Sequence, residues 1–247
     1  MTAVGNKDHR PEYRPSVQSY ARITGVLFLL SFVAGGFGES YVPSKLIESA
    51  DAAATAENFR VLNSLFRMGF LGYLVEASCD IALSLLLYVL LRPVHKNLAL
   101  LAAFFGLIGT ALFGFAELFY FAPSLVLGGA PYLKTFTPDQ LNALALLSLK
   151  LYGTGSGIFL VFFGMAWVLR GYLIFQSGYL PKFLGILLTL GGLAFVTRNF
   201  ALVLAPAYSS GRLLLLMLPG GLLLTLWLLV KGIDISKWEE KMAVSPW

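Results

Sequence analysis

Three carboxylates, Glu76, Asp80 and Glu117, lie inside two long apolar stretches of this 247-residue chain, where a lipid environment makes charge expensive to hold. At 3.6 residues per turn, Tyr73, Glu76, Asp80 and Ser84 fall on one face of a helix, so their polar atoms line up and must look inward. Glu117 continues a stripe of Gly106, Thr110 and Gly114, and Arg198 shares a face with Gly191 and Ala194. Thr24, Ser31, Gly35 and Gly38 supply a similar face nearer the N-terminus. Four acids (Glu39, Glu76, Asp80, Glu117) thus stand against three bases (Arg67, Lys150, Arg198). Two acids one turn apart, as Glu76 and Asp80 are, cannot both hold a negative charge cheaply in an apolar span. The chemistry open to such a set is proton transfer or the binding of a polar head group. The competing reading is a buried pair, such as Glu117 with Arg198, that only fixes helix register.

Helices embedded in a bilayer must position these residues. With 57% hydrophobic and 13% charged residues, the chain is too apolar for an ordinary soluble domain. Spans are expected near Tyr20–Val42, Phe66–Leu91, Leu98–Phe121, Leu151–Leu169, Phe183–Leu204 and Leu213–Val230, each near the roughly 17–25 residues that cross a bilayer. The fold class is therefore an all-α bundle of six transmembrane helices over residues 20–231, flanked by tails 1–19 and 232–247. The basic first segment followed by an apolar run reads as an uncleaved signal anchor. Eleven Lys and Arg fall on the side of the termini (Lys7, Arg10, Arg14, Arg22, Arg92, Lys96, Arg170, Lys182, Lys231, Lys237, Lys241), against five opposite (Lys45, Arg60, Arg67, Lys134, Arg212). The positive-inside rule then puts both termini in the cytoplasm of a cell-membrane protein. Under that topology Asp80 lies near mid-depth and Glu39, Arg67, Glu117, Lys150 and Arg198 lie toward the outer ends, which implies a polar vestibule open to the outside. Lys150 can also snorkel to the outer surface along its own stem.

Trp167, Trp227 and Tyr88 are expected at the inner interface, and Tyr41, Tyr120 and Tyr152 at the outer one. Asp51 can cap a short amphipathic helix carrying Phe59, Leu62 and Phe66 that rests on the membrane surface. Thr137-Pro138-Asp139-Gln140 is a capping-box helix start that runs on into the fourth span above the bilayer. Small residues at Ala102, Gly106, Thr110 and Gly114, and at Gly153 and Gly157, mark packed faces. Packing within the chain is favoured for them over a homo-oligomer.

Several functions lose their residues. The net charge of +5 is spread over short segments between apolar runs, which argues against a nucleic-acid partner. Only His9 and His95 are present, both outside the apolar runs, so neither a haem nor a zinc ligand set exists and no cofactor is expected. Cys79 is a lone cysteine within a span and reads as a packing residue. His95 belongs to a loop turn, and Lys150 sits too near a span end for a retinal site.

A resemblance adds to this. Ala21-Arg22-Ile23-Thr24-Gly25, Ser44-Lys45-Leu46-Ile47 with Asp51-Ala52-Ala53-Ala54-Thr55, Leu65-Phe66-Arg67-Met68-Gly69-Phe70, Cys79-Asp80, Leu98 through Phe105, Ser177-Gly178-Tyr179-Leu180-Pro181 and Leu228-Leu229-Val230-Lys231-Gly232 together resemble the bacterial six-span membrane family known as domain of unknown function 4386. The resemblance implies a six-span integral membrane protein, brings no activity with it, and draws attention to Arg67 and Asp80. One departure is Gly106, where the family often carries arginine. Three functions compete: binding or transport of a small molecule, lipid or proton through the polar interior; a structural or regulatory role in which buried charges fix packing; and a lipid-modifying enzyme, ranked last because no metal cluster, G-x-S-x-G elbow or intramembrane histidine is present. The candidate positions are Asp80, Glu76, Glu117, Arg67, Arg198, Lys150 and Tyr73.

Overall fold

The computed structural model describes residues 16–205, 209 and 211–244. Its elements are all helices: α1 (Val17–Gly35), α2 (Val42–Leu46), α3 (Ala52–Val61), α4 (Asn63–Leu91), α5 (Lys96–Val126), α6 (Pro138–Ser177), α7 (Lys182–Leu204), α8 (Met217–Val230) and α9 (Ile235–Val244). Five N-termini carry side-chain caps that the sequence supplies, among them Asp234, which accepts from Lys237 N at the start of α9. Ser16 accepts from Ser19 N, Asp51 from Ala54 N, His95 from Leu98 N through Nδ1, and Thr137 from Gln140 N, whose own Oε1 takes the Thr137 N–H to complete the capping box. His95, expected to be a plain loop residue, is thus a helix cap.

Five helical stretches are long and apolar enough to cross a membrane: residues 17–46, α4, α5, α6 and α7. The sixth apolar segment is shorter. A 3₁₀ stretch, Gly211–Leu216, leads into the 14 residues of α8, so the expected span is split between two helix types. Helix α9 then turns through 103° from α8.

These elements close a ring. Going round it, α1 packs on α4, α4 on α5, α5 on α6, α6 on α7, α7 on α8 and α8 back on α1, with a smaller contact of α4 with α6 inside. Each ring helix turns an apolar side outward, with Val26, Leu85, Leu118, Leu147, Leu190 and Leu226 exposed, as helices facing lipid require. Packing across the α6–α7 seam is backbone against backbone. A Cβ added at Gly192 would lie 2.6 Å from the Gly164 carbonyl oxygen, and one at Gly164 would lie 2.7 Å from that of Gly192. Gly171 and Gly185 meet the same way one heptad along each helix, which is the small-residue logic of membrane helix pairs. Of the expected packed faces, Ala102, Gly106 and Thr110 are buried, whereas Gly153 has nothing within 4 Å of its would-be Cβ.

Helix α6 differs from the expected fourth span. It runs 40 residues, about 60 Å at 1.5 Å per residue, against a hydrocarbon core of about 30 Å. The expected span ends at Leu169, with Arg170 in the loop that follows it. No proline interrupts residues 170–177, and the stop is Gly178, at φ 76°, so Arg170 stays helical and enters the interior. At the other end α6 projects beyond the membrane-length portion, and α3 packs on it. Arg60 Nη2 donates to Asn142 Oδ1 at 3.3 Å, and Phe59 is buried with Phe66, Tyr120 and Leu149. The α3 face expected to rest on lipid is therefore covered by protein, and Phe66 lies on α4 instead of α3.

The end that holds Val17 and α9 is tied together by side chains. Gln18 donates to Lys231 O at 3.0 Å and accepts from Ile233 N at 3.0 Å, bracketing Gly232 at φ 69°. The Leu90 carbonyl accepts two bonds, from Tyr179 OH at 2.7 Å and Trp238 Nε1 at 3.0 Å. Burial pushes the Tyr179 phenol well above its ordinary range.

Candidate functional site

The centre of the ring is hollow. A cavity of about 570 Å³ is lined from all six ring helices and lies mainly toward the end opposite α9, where Glu39, Tyr152, Arg198 and Leu215 face it. That volume is within the usual range of small-molecule sites. Its deep end is marked by Phe28, Ser31, Asp80 and Trp167.

The acids enter from three helices. After Gly35 the first helix widens into a π-helical turn, Gly36–Tyr41, before α2 resumes. Such turns are rare and concentrate at functional sites because they re-aim side chains, and this one carries Glu39 into the cavity wall. Glu39 accepts a hydrogen bond from Tyr152 OH of α6, and its carboxyl meets that of Glu117 from α5. Glu117 is 1% exposed, and neither of its buried oxygens has a hydrogen-bond partner among the described residues. Glu76 follows one step deeper. Its carboxyl occupies the space left by Gly35, where any Cβ would collide with it, and Oε2 has no hydrogen-bond partner. Deepest is Asp80, 7% exposed, whose Oδ1 accepts from Ser31 Oγ at 3.0 Å.

The one guanidinium beyond Asp80 is Arg170, 4% exposed. It donates from Nη2 to Ser84 Oγ at 3.3 Å and acts on the Asp80 charge without an ion pair of 4 Å or less. Gly106 makes its berth: a Cβ there would lie 2.6 Å from both Nη2 and Ser84 Oγ. Arg198 is the base in the cavity wall itself, with Nη1 donating to Asn199 Oδ1 at 2.7 Å and Nε unpartnered.

Aromatic faces make the rest of the wall. Phe159, Phe163, Trp167 and Phe195 form a string with centroid separations of 5.2, 5.5 and 5.7 Å along it, and Phe113 stacks on Phe159 at 4.6 Å. Tyr73 meets Phe113 edge-on at 4.9 Å, beside Gly114.

The structure thus gathers Glu76, Asp80, Glu117 and Tyr73 in or against the interior, with Arg198 in the cavity wall. Arg67 and Lys150 are elsewhere. Arg67 is exposed and donates to Asn63 Oδ1 at 2.8 Å, and Lys150 is exposed on α6. The pairing of Glu117 with Arg198 does not form, because α6 stands between α5 and α7 in the ring. Four residues of the site escaped the sequence reading of interior positions. Arg170 falls in an expected loop. Tyr120, Tyr152 and Trp167 carry the amphipathic rings of interface residues, yet Tyr120 and Trp167 are each 2% exposed and Tyr152 bonds to Glu39. The absence of proline between Leu169 and Gly178 is the available signal for Arg170. Among the described residues no group of three His, Cys, Asp or Glu is arranged to hold a metal ion.

A relative from Archaeoglobus fulgidus, described as an uncharacterized protein, is 26% identical over 163 residues, covering 64% of this chain and 80% of the relative. No solved structure matches the chain. A family model described as Domain of unknown function (DUF4386) matches residues 23–232, from the first turns of α1 to the glycine that follows α8, and the chain belongs to that family.

Proposed function

We propose that this integral membrane protein binds a small molecule in the hollow of its helical ring. The observation that carries the reading is the cavity wall: carboxyls of Glu39, Glu76 and Asp80 are presented among aromatic faces, and Glu76 has an oxygen with no hydrogen-bond partner. Charges placed only to fix helix register would be set against opposite charges. Here Glu39 meets Glu117, another acid, and the arrangement is left to be completed by something that enters. An apolar body fits the Phe and Trp surfaces, and a polar head reaches the acids.

The orientation belongs to the same proposal. With Arg170 counted in the interior, ten basic residues remain at the end of the termini against five opposite, which favours cytoplasmic termini in the cell membrane and a cavity reached from outside. Mass spectrometry of the intact protein, extracted gently from its own membrane, tests the reading. The expected result is a co-purifying small molecule or lipid on the wild type that is lost from a folded Asp80→Asn variant. An empty wild type, with a variant that is merely less stable, would transfer these charges to a structural role.

A further inference from the structure

We infer that the head of the bound molecule is an organic cation, an ammonium or substituted ammonium group. This rests on the reading of the cavity as a ligand site and names its ligand class. The wall carries three carboxyls against one guanidinium, and that guanidinium, Arg198, is already engaged with Asn199. Asp80 is more than nine-tenths buried and faces the cavity, and only its Oδ1 has a hydrogen-bond partner among the described residues. Glu76 Oε2 is buried and has none. Buried acceptors of this kind lack a positive partner, and an ammonium head brings the missing charge, with hydrogen-bond donors as well where its nitrogen carries hydrogen.

The aromatic wall points to the same ligand. Phe159, Phe163, Trp167 and Phe195 line the same cavity as Asp80, and ring faces attract cations, most strongly when water is excluded. An anionic head would meet three carboxyls. A neutral head would leave the buried carboxylate oxygens as they are, with nothing to offset their lost hydration. Carboxylates with aromatic faces are therefore selective by charge, not only by size. Arg170 does not cancel this: it lies outside the lining, held to Ser84, and its field reaches Asp80 while Glu39 and Glu76 stand farther along the wall.

The test uses three probes of similar bulk on the full chain in detergent micelles: benzyltrimethylammonium, its uncharged isostere neopentylbenzene, and benzenesulfonate. Binding is read by quenching of tryptophan fluorescence and by calorimetry. The cation is expected to bind roughly 30-fold more tightly than the isostere, the preference that a desolvated cation–π contact gives. That preference is expected to shrink in Glu76→Gln and in Asp80→Asn. Because the readout is a ratio between probes, a variant that is only less stable would weaken all three alike and leave the ratio unchanged, which would overturn the inference. Equal binding of cation and isostere would also overturn it while leaving the cavity a ligand site. Preference for the sulfonate would overturn it and assign recognition to Arg198. No binding by any probe would remove both the inference and the site reading beneath it. Displacement of the bound cation by free choline would identify a soluble amine, and displacement only by dihexanoylphosphatidylcholine would identify a lipid head group; either result supports the cation class.

Discussion

Removing Arg170 should cost stability chiefly through Asp80. Both residues are more than nine-tenths buried, and Asp80 has a single neutral donor, Ser31, for one of its oxygens. Arg170→Leu leaves that carboxylate without the nearby positive field. An uncompensated charge at the centre of a membrane helix costs about 2.5–3.5 kcal/mol, and because the two groups do not touch, the lower part of that range applies. Arg170→Leu is thus expected to destabilise by about 2.5–3 kcal/mol. Asp80→Asn keeps the hydrogen bond from Ser31 and removes the charge, so that in this background the loss of Arg170 is felt less. A double-mutant cycle should give a coupling of about 1–2 kcal/mol. The assay is reversible unfolding in mixed micelles with increasing sodium dodecyl sulfate, followed by tryptophan fluorescence. Trp167 lies in the cavity wall, where it reports on the interior. Lys150→Leu, at an exposed position, is the control and should change stability by less than about 0.5 kcal/mol. Single-mutant effects that add within about 0.5 kcal/mol would refute the claim that Arg170 compensates Asp80.

Three further outcomes are expected. Gly192→Ala drives a Cβ into the Gly164 carbonyl and should destabilise by about 1–3 kcal/mol, whereas Gly153→Ala meets nothing and should be neutral or stabilising by up to about 1 kcal/mol; equal effects on the unfolding midpoint would contradict the α6–α7 seam. Gly35→Ala displaces only the mobile end of Glu76, so it should keep the fold yet reduce retention of the co-purifying molecule, and unchanged retention in the mass spectrum would count against Glu76 as a contact. Burial holds the Tyr179 phenol protonated above the ordinary tyrosine range, so the folded state binds a proton that the unfolded chain gives up above about pH 10. Stability that is fully present below that pH is expected to fall by up to about 1.4 kcal/mol per pH unit above it, and Tyr179→Phe, although less stable at neutral pH, should lose part of that alkaline slope in a pH series of unfolding midpoints.

Much of the bundle could be read from residue types. Apolar run lengths located the long helices, and Asp51 and Thr137 marked two helix starts because a capping side chain announces itself locally. The shared face of Tyr73, Asp80 and Ser84 is buried as its periodicity requires. Partner choice was less legible, since it depends on which helices are neighbours. Glu117 finds Glu39 because the ring places α1, α4, α5 and α6 around that point, and a π-helical turn, invisible to a 3.6-residue period, sets the aim of Glu39. Arg170 stands in an expected loop, whereas backbone geometry at Gly178 is what ends the helix.

The ring is closed by its first and last members, α1 and α8. During synthesis, five of its helices emerge before α8 exists. Until then the seam that α8 fills is open, and the face bearing Glu76 and Asp80 has only lipid or an accessory surface to meet on that side. The acidic interior is thus most exposed in the nascent chain, and substitutions that hinder the docking of α8, such as bulk added at Gly25 against the Leu229 backbone, should lower yield and insertion as well as the stability of the finished protein.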